Sequence, residues 1–408
     1  MNVAYYSPLP PERSGIADYS ALLLPALQER LDIAVPRRGA QRSPRGTEVA
    51  LYHIGNNPDA HGWIVEALRR RPGIVVLHDF VLHHLVAGLT LGQGDAEGYL
   101  EAMQRDAGVV GRMLAHGVAD GLLPPIWEYR AEDFPLTGEV LSRADGVICH
   151  SKYVERRAGE YGYAGPISVI PMPAWPSVEL GARVAPEGRP VLACVGYLNA
   201  AKRIPQLLEA FARLRRRFPE ARLVLAGAVA ADVELDDGHL GDGVVRLDHL
   251  DENDLWQLLA DCDVCVSLRG PTMGETSGMA IRALSLGKPL VVSDLGWFSE
   301  LPDSVALKVP VDERELDELT AVLERLAGDD ELRSRMGAAA LEYARREHDL
   351  DRVADRYVAA IEEMAGGPAV RDAVLSEVAR AAGEVGIGRN DAQLAEIAAS
   401  LREVGLGR

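Results

Sequence analysis

Positive charge is what this chain has too little of. Its 408 residues carry Lys+Arg 43 against Asp+Glu 61, a formal net charge of −18, and such an acid excess repels nucleic-acid backbones and anionic lipid surfaces alike. Nucleic acid is excluded as the main partner, and membrane association is disfavoured. An enzyme of this charge that handles anionic ligands must gather its cations locally. Cysteine is scarce as well: Cys149, Cys194, Cys262 and Cys265 are the four, which gives no disulfide framework and suits a reducing cytoplasm. Cys262 and Cys265 form a C-x-x-C, but no second pair follows and the pair leads into a strand-like run, so no metal is expected. There is no apolar span long enough to cross a bilayer, and MNVAYYSP opens as a strand rather than as a leader. A cytoplasmic location is the expectation.

What is present is a globular mixture, 48% hydrophobic and 25% charged, in a chain too long for one ordinary core. Buried-type strands at Asn2–Ser7, Val49–Gly55, Gly73–Asp79 and Ala144–Ser151 alternate with helical stretches such as Ala60–Arg71 and Glu97–Ala115. The loop after the first strand lacks G-x-G-x-x-G, which counts against a dehydrogenase. Prolines interrupt the alternation, and a linker is placed at Met172–Glu187. A second alternation follows: strands Pro190–Asn199, Ala221–Val229, Val244–Leu250 and Cys262–Arg269, with helices Ile204–Phe218 and Glu252–Ala260 between them. The fold class is therefore α/β, with two similar halves built on parallel sheets, residues 1–172 and 187–346, followed by one more amphipathic helix at 348–365. Residues 366–408 form a helical tail of two pieces, Val370–Gly383 and Asp391–Val404. These suit packing on the body or against a partner subunit, so a homo-oligomer stays open.

In open parallel sheets ligands sit beyond the carboxyl ends of the strands, and two facing halves would share one cleft. The polar residues at those ends are the candidates. Ser267–Pro302 reads strand, loop, helix, strand, with Glu275-Thr276-Ser277-Gly278 at the helix start. A helix N-terminus offers unpaired N–H groups to a phosphate, although Ser277 or Thr276 would equally serve as an ordinary cap. Arg269 ends its strand, and Arg282, among apolar residues of the helix, calls for an anionic partner. Lys202 and Arg203 follow another strand and suit a diphosphate or a solvated turn. His78 and Asp79 close the strand GIVVLHD, where an imidazole can donate to a hydroxyl or phosphate and a carboxylate can accept a proton. His150 has a similar position with a weaker case; His83 and His84 read as helix packing. Arg37, Arg38, Arg42 and Arg45 read as a solvated loop.

The order YYSPLPPERSGIADYS, VVLHD, VICHSKYV, VGYLNAAKRIPQLLEAF and GETSGMAIRALSLGKPLVVSDLGWFSELP resembles the large family 4 of retaining glycosyltransferases, over nearly all of residues 1–365. The resemblance implies a GT-B fold: two Rossmann-like domains facing each other across a cleft, here with a C-terminal helical extension. It implies a nucleotide-diphosphate sugar bound mainly by the second domain, an acceptor bound mainly by the first, and no metal or other cofactor. Carried over by position, Gly15 matches the glycine of the loop facing the donor, His78 the histidine near the transferred sugar and Lys202 the diphosphate lysine. Thr276, Ser277 and Gly278 match the helix start that holds the phosphates, and the base is read near His249 and Leu250. Two departures stand out. Gly196-Tyr197 occupies the place of a glycine-arginine pair, and the family's two glutamates eight positions apart are broken: Glu275 has Ala283 at the second position, and counting back from Gly287 gives Arg282. An arginine cannot accept a ribose hydroxyl. The expected remedy is a charge exchange, with Arg282 or Arg203 replacing the cation absent at Tyr197 and Glu275 contacting the sugar. The expected activity is sugar transfer to a hydroxyl of a small or soluble acceptor. A GT-B epimerase or phosphorylase, or a non-catalytic nucleotide-sugar-binding protein, would use the same features.

Overall fold

The computed structural model describes residues 1–12, 14–40, 42–176, 179–230, 233, 235, 240–388 and 392–403. The expected helix ends at Asp391 and Val404, and Ser177 and Val178 of the expected linker, lie outside them. The chain divides into two compact units, Met1–Ile170 with Ala354–Arg408, and Pro171–Val353.

The first unit is built on six parallel strands: β1 (Asn2–Tyr6), β2 (Asp32–Ala34), β3 (Val49–Ile54), β4 (Gly73–Leu77), β5 (Ala144–Cys149) and β6 (Ile167–Val169). They lie in the order β2-β1-β3-β4-β5-β6. Every residue of β3 and β4 is buried, the pattern of strands covered by helices on both faces. The order reverses between β1 and β3, which makes the loops after those strands a topological switch point. The second unit has β7 (Val191–Val195), β8 (Arg222–Ala226), β9 (Val244–Leu247), β10 (Val264–Ser267), β11 (Leu290–Ser293) and β12 (Ala306–Val309), ordered β12-β11-β10-β7-β8-β9. This is the dinucleotide-type order, with its switch point between β7 and β10. Its core packs Leu192, Leu223, Leu225, Val264, Val266 and Val291 of the sheet against Leu207, Phe211, Leu319 and Leu323 of the helices.

Two expectations about helices change. The stretch expected at Glu97–Ala115 is longer, Ala96–Ala119, and breaks at Ala107 and Gly108, where Gly108 has φ 61; glycine takes that left-handed conformation without a Cβ penalty. The helix expected to stop at Ala365 continues: Leu350–Glu384 is one element of 35 residues that runs through Gly366, Gly367 and Pro368. A proline removes one i→i−4 bond, and a helix of this length has enough others to carry on. Its first half is anchored in the first unit by Tyr357, whose hydroxyl meets that of Tyr19 at 2.6 Å, and by Asp355, which pairs with Arg30 at 2.7 Å. Among the described residues no helix is long and apolar enough to cross a membrane.

Candidate active site

Two of the four sequence-expected cations of the second unit, Lys202 and Arg269, follow the strands that flank its switch point. Lys202 ends a short 3-10 turn after β7; Arg269 lies just beyond β10. Lys202 is 5% exposed, and its Nζ donates to the Val195 carbonyl at 2.8 Å. Burial pushes its pKa below the lysine range and Arg269 acts in the same direction, while Cys194, Cys265 and Glu275 oppose. The lysine is no solvated turn: its stem is packed under the strand end, with at most two ammonium hydrogens left for a ligand. Gly196 serves this packing, since at φ 110 it has the lysine Nζ 3.4 Å from where a Cβ would sit.

Arg203 departs from the expectation. It adopts a left-handed φ of 56 at the start of helix Ile204–Arg215, and its guanidinium grips Glu315 in a two-point pair, Nε to Oε1 at 2.7 Å and Nη2 to Oε2. Glu315 is 4% exposed. A buried carboxylate costs several kcal/mol unless paired, so Arg203 is committed to Glu315, a partner that its own sequence surroundings do not disclose.

Glu275 likewise acts first on its own loop. Oε1 meets Arg269 Nε at 2.8 Å, and Oε2 accepts from Met273 N at 2.7 Å and from Thr272 Oγ1 at 3.1 Å. Gly274, with φ 85, donates its N–H to Thr272 Oγ1 at 3.0 Å. The carboxylate thus closes the turn that aims the next three residues. Ser277 caps helix Gly278–Ser285 by accepting from Ala280 N at 3.2 Å, while Thr276 Oγ1 is buried with no hydrogen-bond partner. Of the two candidate caps, Ser277 is thus the one that bonds the helix. Arg282, 7% exposed, lies with its guanidinium carbon 3.7 Å from the ring centre of Trp175 and 5.9 Å from that of Trp256. Trp175, a linker residue with no motif to mark it, also lies 3.3 Å from the Cβ position of Gly278. His249 and Leu250 follow the edge strand β9, two strands from β7, the first exposed and the second half-buried.

In the first unit, Gly15 is exposed and opens helix Gly15–Gln28, capped by Ser14, which accepts from Ala17 N at 3.0 Å. His78 follows β4 and His150 follows β5; with His53 of β3 they form a ring cluster, His78 lying 5.3 Å from His53 and 5.0 Å from His150 between centroids. Tyr19 packs edge-on against His78 at 4.9 Å. Burial, then the neighbouring imidazoles, hold His53 and His78 well below the ordinary histidine pKa. Asp79 Oδ2 accepts from Asn56 N at 2.8 Å. His83 is a packing residue, bonded to the Phe134 carbonyl at 2.7 Å and the Tyr99 hydroxyl at 2.8 Å, and Arg38 of the basic loop pairs with Glu12 at 2.5 Å. His53 and Tyr19 were missed in the sequence; the one available signal was a polar residue inside the otherwise apolar strand VALYHIG. Among the described residues no group of three His, Cys, Asp or Glu is arranged to hold a metal ion.

Two helix-covered parallel sheets with these strand orders define a GT-B α/β protein. Residues 180–343 match the family model described as glycosyl transferases group 1, a span inside the second unit. An uncharacterized glycosyltransferase of Bacillus subtilis is 31% identical over 166 residues, 40% of this chain and 45% of that protein. An alpha-D-kanosaminyltransferase of Streptomyces kanamyceticus is 26% identical over 183 residues, 44% and 47% of the two chains. The match thus spans about half the length of these curated relatives. The solved structure of a sucrose-phosphate synthase from Thermosynechococcus elongatus superposes with a TM-score of 0.57 at 18% identity, covering 89% of this chain and 99% of that one.

Proposed function

We propose that the protein is a retaining glycosyltransferase that moves a sugar from a nucleotide-diphosphate sugar to a hydroxyl of a small or soluble acceptor. The observation that carries this reading is the switch point of the second unit. There a buried Lys202, Arg269 and the start of helix Gly278–Ser285 converge on strand ends within the region matched by the family model. Lys202 and the helix start hold the diphosphate, and Arg269 adds charge from its pair with Glu275. A carboxylate has about four lone-pair sites; Glu275 Oε2 accepts two hydrogen bonds from its own loop, and Oε1, which faces Arg269, orients the sugar. In the first unit, His78 and Asp79 meet the reacting hydroxyls. Substitution proceeds on the same face through an oxocarbenium-like state, and stabilising the departing diphosphate lowers the barrier most. The cations and helix start do the work a metal would do, so chelator leaves turnover unchanged.

The test is a thermal-shift screen of nucleoside diphosphates, followed by hydrolysis and transfer assays with the sugar donor of the best base. A product of retained anomeric configuration supports the reading. Tight nucleotide binding with neither hydrolysis nor transfer would convert it to a binding protein.

A further inference from the structure

His53 is 0% exposed and His78 is 7% exposed, and a hydrogen bond of 3.0 Å joins His53 Nδ1 to His78 Nε2. Burial keeps both rings neutral near pH 7. A bond between two neutral imidazoles needs one donor and one acceptor. The other nitrogen of His53, Nε2, is buried without a hydrogen-bond partner. If His78 Nε2 were the donor, His53 would hold its own proton on Nε2, as a buried N–H with nothing to receive it. If His53 Nδ1 is the donor, Nε2 is left with a bare lone pair. Among backbone groups an orphaned N–H is rarer than an under-satisfied acceptor; the same order puts the proton on His53 Nδ1.

His78 then accepts at Nε2 and carries its own proton on Nδ1. Among the described residues no protein group bonds that nitrogen and it is not sealed from solvent, so it is the one a ligand can reach. The rings are also held in place. Tyr5 packs 4.5 Å from His53 and Tyr19 4.9 Å from His78, and Tyr19 is itself tied to Tyr357.

We propose that His53 is a positioning residue: it fixes His78 in the Nδ1–H tautomer, so that His78 presents a hydrogen-bond donor to an oxygen of the bound sugar or of its acceptor. The identity of that ligand rests on the transferase reading; the tautomer does not.

The test uses the full chain labelled with 15N-histidine, with the His78 imidazole resonances assigned by their loss in His78→Gln. The wild type is expected to show His78 as the Nδ1–H form alone. His53→Phe fills the space without a donor and is expected to shift His78 towards Nε2–H, whereas His53→Gln, whose amide can donate, keeps Nδ1–H. An Nε2–H form in the wild type, or an unchanged tautomer in His53→Phe, would overturn the proposal. If His53→Phe does not fold, the wild-type tautomer and His53→Gln still decide it. With the sugar donor identified, His53→Phe should lower kcat roughly tenfold, the worth of one neutral hydrogen bond, with KM nearly constant and activity restored in His53→Gln. Wild-type kcat in a folded His53→Phe would overturn the functional half. Absence of transfer by the wild type would instead overturn the transferase reading, leaving the tautomer to be judged by its own spectrum.

Discussion

The two units bring polar side chains to the carboxyl ends of their strands by opposite means. In the first, His53, His78 and His150 are packed against one another and against Tyr19, and low dielectric keeps His53 and His78 neutral. In the second, Arg203 and Arg269 are paired with Glu315 and Glu275, and Lys202 is held by a backbone carbonyl. A neutral cluster suits groups that exchange hydrogen bonds with hydroxyls; a balanced ionic cluster with a buried ammonium suits an incoming anion. Under the proposed function, these are the two chemistries that transfer of a sugar from a diphosphate requires.

Acid should break this contrast first. His53, His78 and His61, whose Nδ1 bonds the His53 carbonyl at 3.1 Å, have folded-state pKa values below the unfolded value of about 6.5, with His61 lowered to about 4 by burial. Their stabilisation is therefore present above about pH 6.5 and is lost as pH falls through the folded values. Between pH 7.5 and 5.5 each should cost about 1.4 kcal/mol, roughly 4 kcal/mol together. Urea midpoints at the two pH values measure it, with a smaller loss in His53→Phe; a midpoint independent of pH would remove the neutral-cluster account. Next in size, Arg203→Ala should destabilise by about 2–3 kcal/mol, below the full cost of stranding a buried carboxylate because the arginine is partly exposed. Arg203→Ala combined with Glu315→Gln should recover part of that loss in the same denaturation assay.

Smaller effects sharpen the ionic side. Arg282→Glu should change nucleotide affinity by roughly tenfold, the scale of one charge-assisted contact. Calorimetry would show it, and unchanged affinity for every nucleotide would remove Arg282 from the donor site. Trp175→Leu removes the stacked ring from Arg282 and should cost about 1 kcal/mol of stability, read from melting curves.

Much of the second cluster was legible because it is local. Arg269, Glu275, Thr276, Ser277 and Arg282 share one strand-loop-helix passage, and a cap at Ser277 or Thr276 was legible by chemistry and position. The partners that redirect its charges were not legible: Glu315 stands 112 positions from Arg203, and Trp175 comes from a proline-rich linker without periodicity. The alternation of strands and helices exposed the α/β class, while element ends shifted by a few residues, as with β8 and β9, which stop short of the expected Val229 and Leu250. The first cluster was the least readable. Its histidines lie in or just after three separate strands, and only the parallel pairing of β3, β4 and β5 brings them together.

The most direct measurement is the heat of binding of nucleoside diphosphates to the wild-type protein and to Lys202→Ala. At least one nucleoside diphosphate should bind the wild type, and the variant should bind it ten- to a hundredfold more weakly, the worth of one hydrogen bond to a charged group. Absence of binding by every nucleoside diphosphate, or equal affinity in the two proteins, would contradict a donor-phosphate site at the β7–β10 switch point.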